Sequence, residues 1–284
     1  MKKDFPLSKI TRFRVGGTAD YLFQPNSPQE LAEFLRINTL PITVIGSASN
    51  ILVRDGGIRG VVVKLGKGFS FCKLDGDKIN VGGATSNRKL VNFCKDNNIG
   101  GFEFLYHIPS TIGGALYMNA GAYGGDISKV IISAELMDRA GGVHKMSASE
   151  LGYIYRKCGN LPEGWIFLSA EFKWHRDSVE NIEAKIAEYT ERRGVQPIWE
   201  VTCGSTFKNP SKSISAWKII DESGCRGLRV GGAEMSQKHC NFIINDGTAT
   251  AEDIEKLGEE VRRRVKEKTG VSLEWEIQIL GDFQ

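Results

Sequence analysis

IPSTIGGALYMNAGAYGG, residues Ile108 to Gly125, is a run of eighteen residues with no charged side chain and mostly small ones. A chain this bare brings backbone close to something. Gly113, Gly114 and Gly121 lack a Cβ and can take φ > 0, so their amides can line a ligand instead of hiding behind side chains. A phosphate or a flat ring is the ligand such a surface suits. The competing reading is a glycine-rich turn between two strands.

Working outward, the 284 residues are enough for two or three compact units, each with its own core. Hydrophobic content of 41% and charged content of 25% are ordinary for a soluble globular protein, while 33 glycines exceed the usual share and point to many turns and close approaches. A net charge of +3, without a basic stripe interleaved with aromatics, gives no footprint for nucleic acid. Acidic small molecules fit better. The six cysteines (Cys72, Cys94, Cys158, Cys203, Cys225 and Cys240) include no Cys-x-x-Cys pair, which suits free thiols in a reducing cytoplasm and no metal site. Neither the N-terminal Met1 to Pro6 nor any later stretch has the apolar run of an export signal or a membrane span. Nothing in the chain implies an oligomer.

Periodicity divides the chain. A helical pattern from Pro28 to Arg36 and β-branched runs at Ile42 to Ile45 and Val61 to Leu65 form a first α/β unit. A second unit carries a helix near Asn87 to Lys95, the small-residue stretch, and strands near Ile131 to Met137 and Trp165 to Trp174. A polar helix from Glu180 to Arg193, stopped at Val195-Gln196-Pro197, leads to a third. There, helices are predicted over Ser213 to Ser223 and from Thr250 to Gly270, and a final strand over Leu273 to Ile279. These readings give boundaries of 1–66, 67–178 and 179–284.

Several common sites are missing. There is no Gly-x-Gly-x-x-Gly after a strand, no P-loop and no Gly-x-Ser-x-Gly elbow, and His107, His144, His175 and His239 lack metal-ligand spacing. What remains is a second small-residue loop, Ile45 to Leu52, directly after a predicted strand, which can offer amides and hydroxyls to a diphosphate. One loop by itself reads as a strand turn. Two in neighbouring units suit a dinucleotide, which needs one surface for its phosphates and another for its ring.

The segments Thr11-Arg12-Phe13-Arg14-Val15-Gly16-Gly17, Ser47-Ala48-Ser49-Asn50, Ile108 to Gly125, Tyr155-Arg156, Gly204 to Pro210 and Leu273 to Gly281, in this order and spacing, closely resemble the UDP-N-acetylenolpyruvoylglucosamine reductases (MurB). The resemblance runs from end to end. It implies an α+β chain: a vanillyl-alcohol-oxidase/PCMH-type FAD-binding fold of two α/β units, plus a C-terminal α+β domain for substrate. It also implies a flavoprotein of bacterial cell-wall synthesis, with NADPH as co-substrate, that reduces the enolpyruvyl ether of a UDP-sugar to a lactyl ether. The short connection from Ala170 to Ser205 resembles the form of the family without a tyrosine-bearing lid insertion.

Carried over position by position, the resemblance places Arg156, Ser205 and Glu276 in the active site. Hydride from flavin N5 builds negative charge on the substrate's α,β-unsaturated carboxylate. Arg156 suits that charge, Ser205 would protonate the α-carbon, and Glu276 would share a proton near the carboxylate. Glu274, two residues away on the same predicted face, is its rival. For FAD the matching positions are Arg14, Gly16, Gly46, Ser47, Ala48, Ser49, Asn50, Ile112, Gly113, Gly114, Asn119 and Gly121. For the UDP-sugar they are Lys208 and Asn209. Lys238, His239 and Asn241 lie in a matched segment that packing also explains. The chain departs from the family pattern at Gly46-Ser47-Ala48, where a glycine-rich triplet is usual, and at His107-Ile108-Pro109-Ser110, where Gly-Ile-Pro-Gly is usual. Cys158 and Val195 replace a serine and a threonine. Two other functions are compatible with fewer of these groups: a flavin oxidase or dehydrogenase of the same fold on another substrate, and a flavin-binding protein without turnover. Neither needs Arg156, Ser205 and Glu276 together.

Overall fold

A computed structural model describes residues 1–197 and 199–284. The chain forms two compact units: one of Leu22–Ser47 and Val61–Arg192 with Met1, the other of Lys2–Tyr21, Ala48–Gly60 and Arg193–Gln284. The strands Thr18–Phe23 and Ile58–Val63 are shared, each crossing from one unit to the other along its length.

In the first unit, helix α1 (Pro28–Ile37) starts where Ser27 accepts a hydrogen bond from the Glu30 amide and Pro28 presets the first turn, and it buries Leu31, Ala32, Phe34 and Leu35. The strand Ile42–Val44 then pairs in parallel with Val61–Val63. The main sheet is antiparallel, in the order Val143–Ser147, Ile131–Met137, Ile166–Lys173, Lys78–Gly82 and Cys72–Asp75. Its inner residues Ile79, Val81, Leu136 and Phe172 pack with Leu90, Val91 and Cys94 of α2 (Asn87–Asp96) and with Ile112, Ala115 and Leu116 of α3 (Ile112–Tyr117). Phe172 is fully buried and meets Phe102 edge-on at 5.8 Å. Phe172→Ala removes a ring from a close-packed site, so it should cost about 3–5 kcal/mol, read as a fall in the urea midpoint of the intact chain.

A short helix, α4 (Ala148–Leu151), opens with a capping box of Ser147 and Glu150. The polar helix α5 (Val179–Arg193) buries Ile182, packs Ile186 and Tyr189 against the core, and adds polar contacts. Lys185 reaches Asp177 at 2.8 Å and the buried Glu103 at 3.6 Å, Lys95 reaches Glu183 at 3.1 Å, and Tyr189 stacks on Tyr123 at 4.4 Å. Hydrogen bonds from Lys185 and Asn181 hold the Asp177 carboxyl down at about 2. Its anchoring of α5 is therefore complete above the ordinary carboxylate pKa and fades as pH falls toward 2.

The second unit is built on α6 (Ala216–Glu222), α7 (Ala251–Thr269) and a three-stranded antiparallel sheet, Arg229–Val230, Ala233–Met235 and Ile243–Asn245. A capping box of Thr250 and Asp253 starts α7, Gly270 at φ 75° ends it, and Ile254, Leu257, Val261 and Val265 form its buried stripe. That stripe packs in one core with Phe13, Val15 and Leu52 from the start of the chain and Phe207, Leu273 and Ile277 from its end. The expected last strand is shorter than its alternating pattern. Gln278–Leu280 pairs in parallel with Ile51–Val53, whereas 274–277 makes a single bridge, Phe207 with Trp275. Likewise α6 begins at Ala216 and not at Ser213, because the Asn209 carboxamide oxygen accepts from the Ala216 amide and Ser211 holds Ser213 and Ile214 in a turn.

Candidate active site

Seven non-glycine residues among those described have positive φ: Asp4, Arg14, Ala48, Asn98, Asn119, Tyr123 and Arg156. Four of them, Arg14, Ala48, Asn119 and Arg156, are positions singled out from the sequence. Each such conformation costs on the order of 1–3 kcal/mol and persists only where surrounding contacts hold it, as happens at functional sites.

In the first unit the two small-residue loops touch. A Cβ on Gly46 would lie 2.6 Å from Thr111 Oγ1 and 3.7 Å from the Gly114 Cα, so the strand that ends at Val44 can deliver its loop onto the start of α3 only with glycine there. Thr111 caps α3, its hydroxyl accepting from the Gly114 amide at 3.4 Å. Gly113 donates to the Gly83 carbonyl at 2.8 Å, and a Cβ there would meet that oxygen at 3.1 Å. A Cβ on Gly121 would sit 2.5 Å from the Gly125 carbonyl. These glycines do not take positive φ; their use is the missing Cβ, and the Gly113 and Gly114 amides are engaged within the protein. Ile112 is fully buried in the core, with its amide on the Thr85 carbonyl.

From the end of α3 the chain reaches Arg156. Asn119, buried, donates from Nδ2 to the Ile154 carbonyl at 2.9 Å and accepts from the Ser128 amide at 3.0 Å. Tyr153–Ile154 and Lys157–Cys158 pair as a two-stranded ribbon, and Arg156 lies in its turn at φ 58°, with the guanidinium 5.1 Å from the Tyr155 ring centre. Asn119 thus fixes the turn that presents Arg156. The departures from the family pattern are accommodated nearby: the His107 ring meets Thr190 Oγ1 of α5 at 2.7 Å, and Ser110 donates to the Thr111 carbonyl at 3.0 Å.

The second unit brings Ser205 and Glu276 together. The segment Ser205 to Lys208 runs between two others, bridging Phe242 on one side and Trp275 on the other. The Glu276 amide donates to the Thr206 carbonyl at 2.8 Å, and the Thr206 amide to the Asn241 carbonyl at 2.7 Å. Asn241 grips Phe207 at both its amide and its carbonyl, at 2.9 and 2.8 Å, which gives that matched residue a positioning role. Gly204 has φ 84° with open space around it, so the turn into Ser205 needs glycine for its conformation. Asn50 donates from Nδ2 to the Glu276 carbonyl at 2.9 Å and accepts from the Gln278 amide, which commits part of this loop to holding Glu276. Gly258 of α7 leaves room for Trp275, since a Cβ would come within 2.0 Å of the indole.

The rival carboxylates now separate. Glu274 is exposed and pairs with Lys208 Nζ at 3.2 Å, whereas Glu276 is partly buried beside Thr206. Asn209 spends its carboxamide oxygen on α6. Cys203, next to Gly204, has its thiol pushed up to about 12 by burial, which makes it an inert core group. Arg14 is exposed, and the Cβ of a side chain on Gly16, at φ 112°, would strike Val53. No group of three or more His, Cys, Asp or Glu able to hold a metal ion is present among the described residues, and no helix among them is long and apolar enough to cross a membrane.

Three residues escaped the sequence reading. Thr111 was legible as a cap before Ile-Gly-Gly. Asn87, fully buried, donates to the Ile108 carbonyl at 3.0 Å, and no spacing signals it. Lys64 interrupts the apolar run after Val63 and donates from Nζ to the Gly46 carbonyl at 2.5 Å.

Residues 19–147 match the family model of an FAD-binding domain, and residues 196–280 match that of the UDP-N-acetylenolpyruvoylglucosamine reductase C-terminal domain. Fold and site therefore define an FAD-binding protein of the vanillyl-alcohol-oxidase/PCMH type, with an α+β C-terminal domain. The chain is 47% identical to UDP-N-acetylenolpyruvoylglucosamine reductase of Rickettsia akari, over 99% of this chain and 96% of the relative. It is 46% identical to that of Paramagnetospirillum magneticum, over 99% and 92%. The crystal structure of UDP-N-acetylenolpyruvylglucosamine reductase (MurB) from Thermus caldophilus superposes with a TM-score of 0.86 at 35% identity, covering 96% of each chain. The chain belongs to the UDP-N-acetylenolpyruvoylglucosamine reductase family.

Proposed function

We propose that this protein is an FAD-dependent, NADPH-consuming reductase that converts UDP-N-acetylglucosamine enolpyruvate to UDP-N-acetylmuramate in the cytoplasm. The observation that supports the chemistry is that the segment carrying Ser205 runs beside Glu276, whose amide bonds to the Thr206 carbonyl, after a glycine at positive φ. Residues fit the cofactor: the Gly46 loop comes so close to Thr111 and Gly114 that a Cβ would strike the Thr111 hydroxyl, which leaves backbone and small side chains on this surface. Residues 1–66 and 67–178 would hold FAD, through Arg14, Gly16, Gly46 to Asn50, Ile112 to Gly114, Asn119 and Gly121, and 179–284 the UDP-sugar, through Lys208 and Asn209. When bound, FAD supplies the hydride that reduces the enolpyruvyl double bond. Arg156 stabilises the charge that develops on the substrate carboxylate, and its fixed fork suits that planar group. Ser205 gives its hydroxyl proton to the α-carbon; a weak acid suffices because the acceptor is carbanion-like. Glu276 shares a proton with the carboxylate, which favours its neutral form beside that anion.

Purified protein should be yellow, and it should turn over NADPH continuously only when the enolpyruvyl UDP-sugar is added. A colourless protein that takes up no FAD would overturn the reading. Glu276→Gln should lower turnover by about 10²-fold or more, as loss of an acid–base group does, whereas Glu274→Gln should stay within about threefold of wild type. Steady-state rates of the two variants, measured side by side, check the choice; equal losses would remove the assignment to Glu276.

A further inference from the structure

Parallel pairing of Ile42–Val44 with Val61–Val63 places the residues just beyond those strands next to each other. The Ile45 amide bonds to the Val63 carbonyl at 2.9 Å, and the Lys64 amide bonds to the Phe23 carbonyl at 3.0 Å, so the backbone on both sides is fixed. From there the half-buried Lys64 side chain reaches back to the first strand's loop, and its Nζ donates to the Gly46 carbonyl. An ammonium carries three donors, and this carbonyl uses one. Among the described residues no carboxylate forms an ion pair with Lys64, and burial without such a partner holds its pKa below the ordinary lysine range. Buried charges are stable when paired. The unpaired one here is half-buried and contacts the Gly46 carbonyl, in the loop that meets Thr111 and Gly114.

We infer that Lys64 is a binding residue for FAD, supplying through the Gly46 loop the positive counter-charge of the cofactor's diphosphate. The inference rests on the reading that this loop receives the diphosphate. A free phosphate or a mononucleotide would meet the same ammonium, but only a dinucleotide also uses the ring surface of the neighbouring stretch. A purely structural lysine, bracing Gly46 alone, would serve any flavin equally.

The test is titration of deflavinated protein, followed by flavin fluorescence. Lys64→Met should bind FAD at least about tenfold more weakly than wild type, and Lys64→Arg within about threefold, because the loss is that of a charge-assisted contact. Riboflavin, which has the ring without the diphosphate, should bind wild type and Lys64→Met alike. A second comparison needs no charge-deleting variant. As pH rises into the range where a buried lysine deprotonates, wild type should lose FAD affinity while Lys64→Arg, charged throughout, should not. Unchanged FAD affinity in Lys64→Met, equal losses for FAD and riboflavin, or parallel pH curves for wild type and Lys64→Arg would each overturn the inference. Wild-type protein that binds no FAD at all would instead overturn the cofactor reading on which it rests.

Discussion

Ser205→Ala should reduce turnover of the enolpyruvyl UDP-sugar by about 10²–10⁴-fold while NADPH still reduces the bound flavin at the wild-type rate. The separation follows from where the hydroxyl acts. Ser205 follows Gly204, whose positive φ aims the turn, and it sits beside the segment that Glu276 pins through Thr206. Deleting one oxygen leaves the Thr206 and Asn241 bonds in place, so the fold is retained. Hydride delivery from NADPH needs no proton from this residue; protonation of the substrate α-carbon does. Stopped-flow traces of the two half-reactions distinguish the outcomes, and equal slowing of both would remove the proton-transfer role.

Arg156→Asn should lower kcat by about 10²–10³-fold, the loss seen when one stabiliser of developing negative charge is removed. Asparagine is the informative replacement because it tolerates positive φ, so the turn between Tyr153–Ile154 and Lys157–Cys158 is kept. Arg156→Lys keeps the charge but not the two-point geometry, and it should recover only part of the rate. A thermal midpoint close to wild type alongside the fall in kcat supports a role at the reacting centre. A fall in stability with an unchanged rate would make Arg156 a structural residue of the turn.

Elements whose ends carry chemistry of their own were legible in the sequence. Thr250, Asp253 and Gly270 delimit α7, and Ser27 with Pro28 starts α1, because side-chain caps act locally. Helix α3 was hidden. Two of its six residues are glycines, poor helix formers, and it is held by Thr111 and by packing of Ile112, Ala115 and Leu116 against the sheet. The final strand was overextended for the converse reason: alternate burial of Leu273 and Ile277 persists, while the ladder is confined to Gln278–Leu280. At the site, residue types drew attention to particular segments, but the contacts each residue makes did not follow from them. Gly113, Gly121 and Asn209 are occupied by protein contacts, and the different surroundings of Glu274 and Glu276, the Lys208 ion pair of one and the Thr206 bond of the other, are both long-range.

The discontinuity of the second unit bears on how the chain is made. Residues Lys2–Tyr21 and Ala48–Gly60 leave the ribosome long before their core partners on α7 and the strand Gln278–Leu280. The first unit has its long segment, Val61–Arg192, available well before that. Nascent chains therefore pass through a stage in which Phe13, Val15 and Leu52 await their partners, and the strand Gln278–Leu280 closes the unit across a long sequence separation. That late closure sets Asn50 and Glu276 in place together, so the carboxylate is positioned only after the strand Gln278–Leu280 has been made.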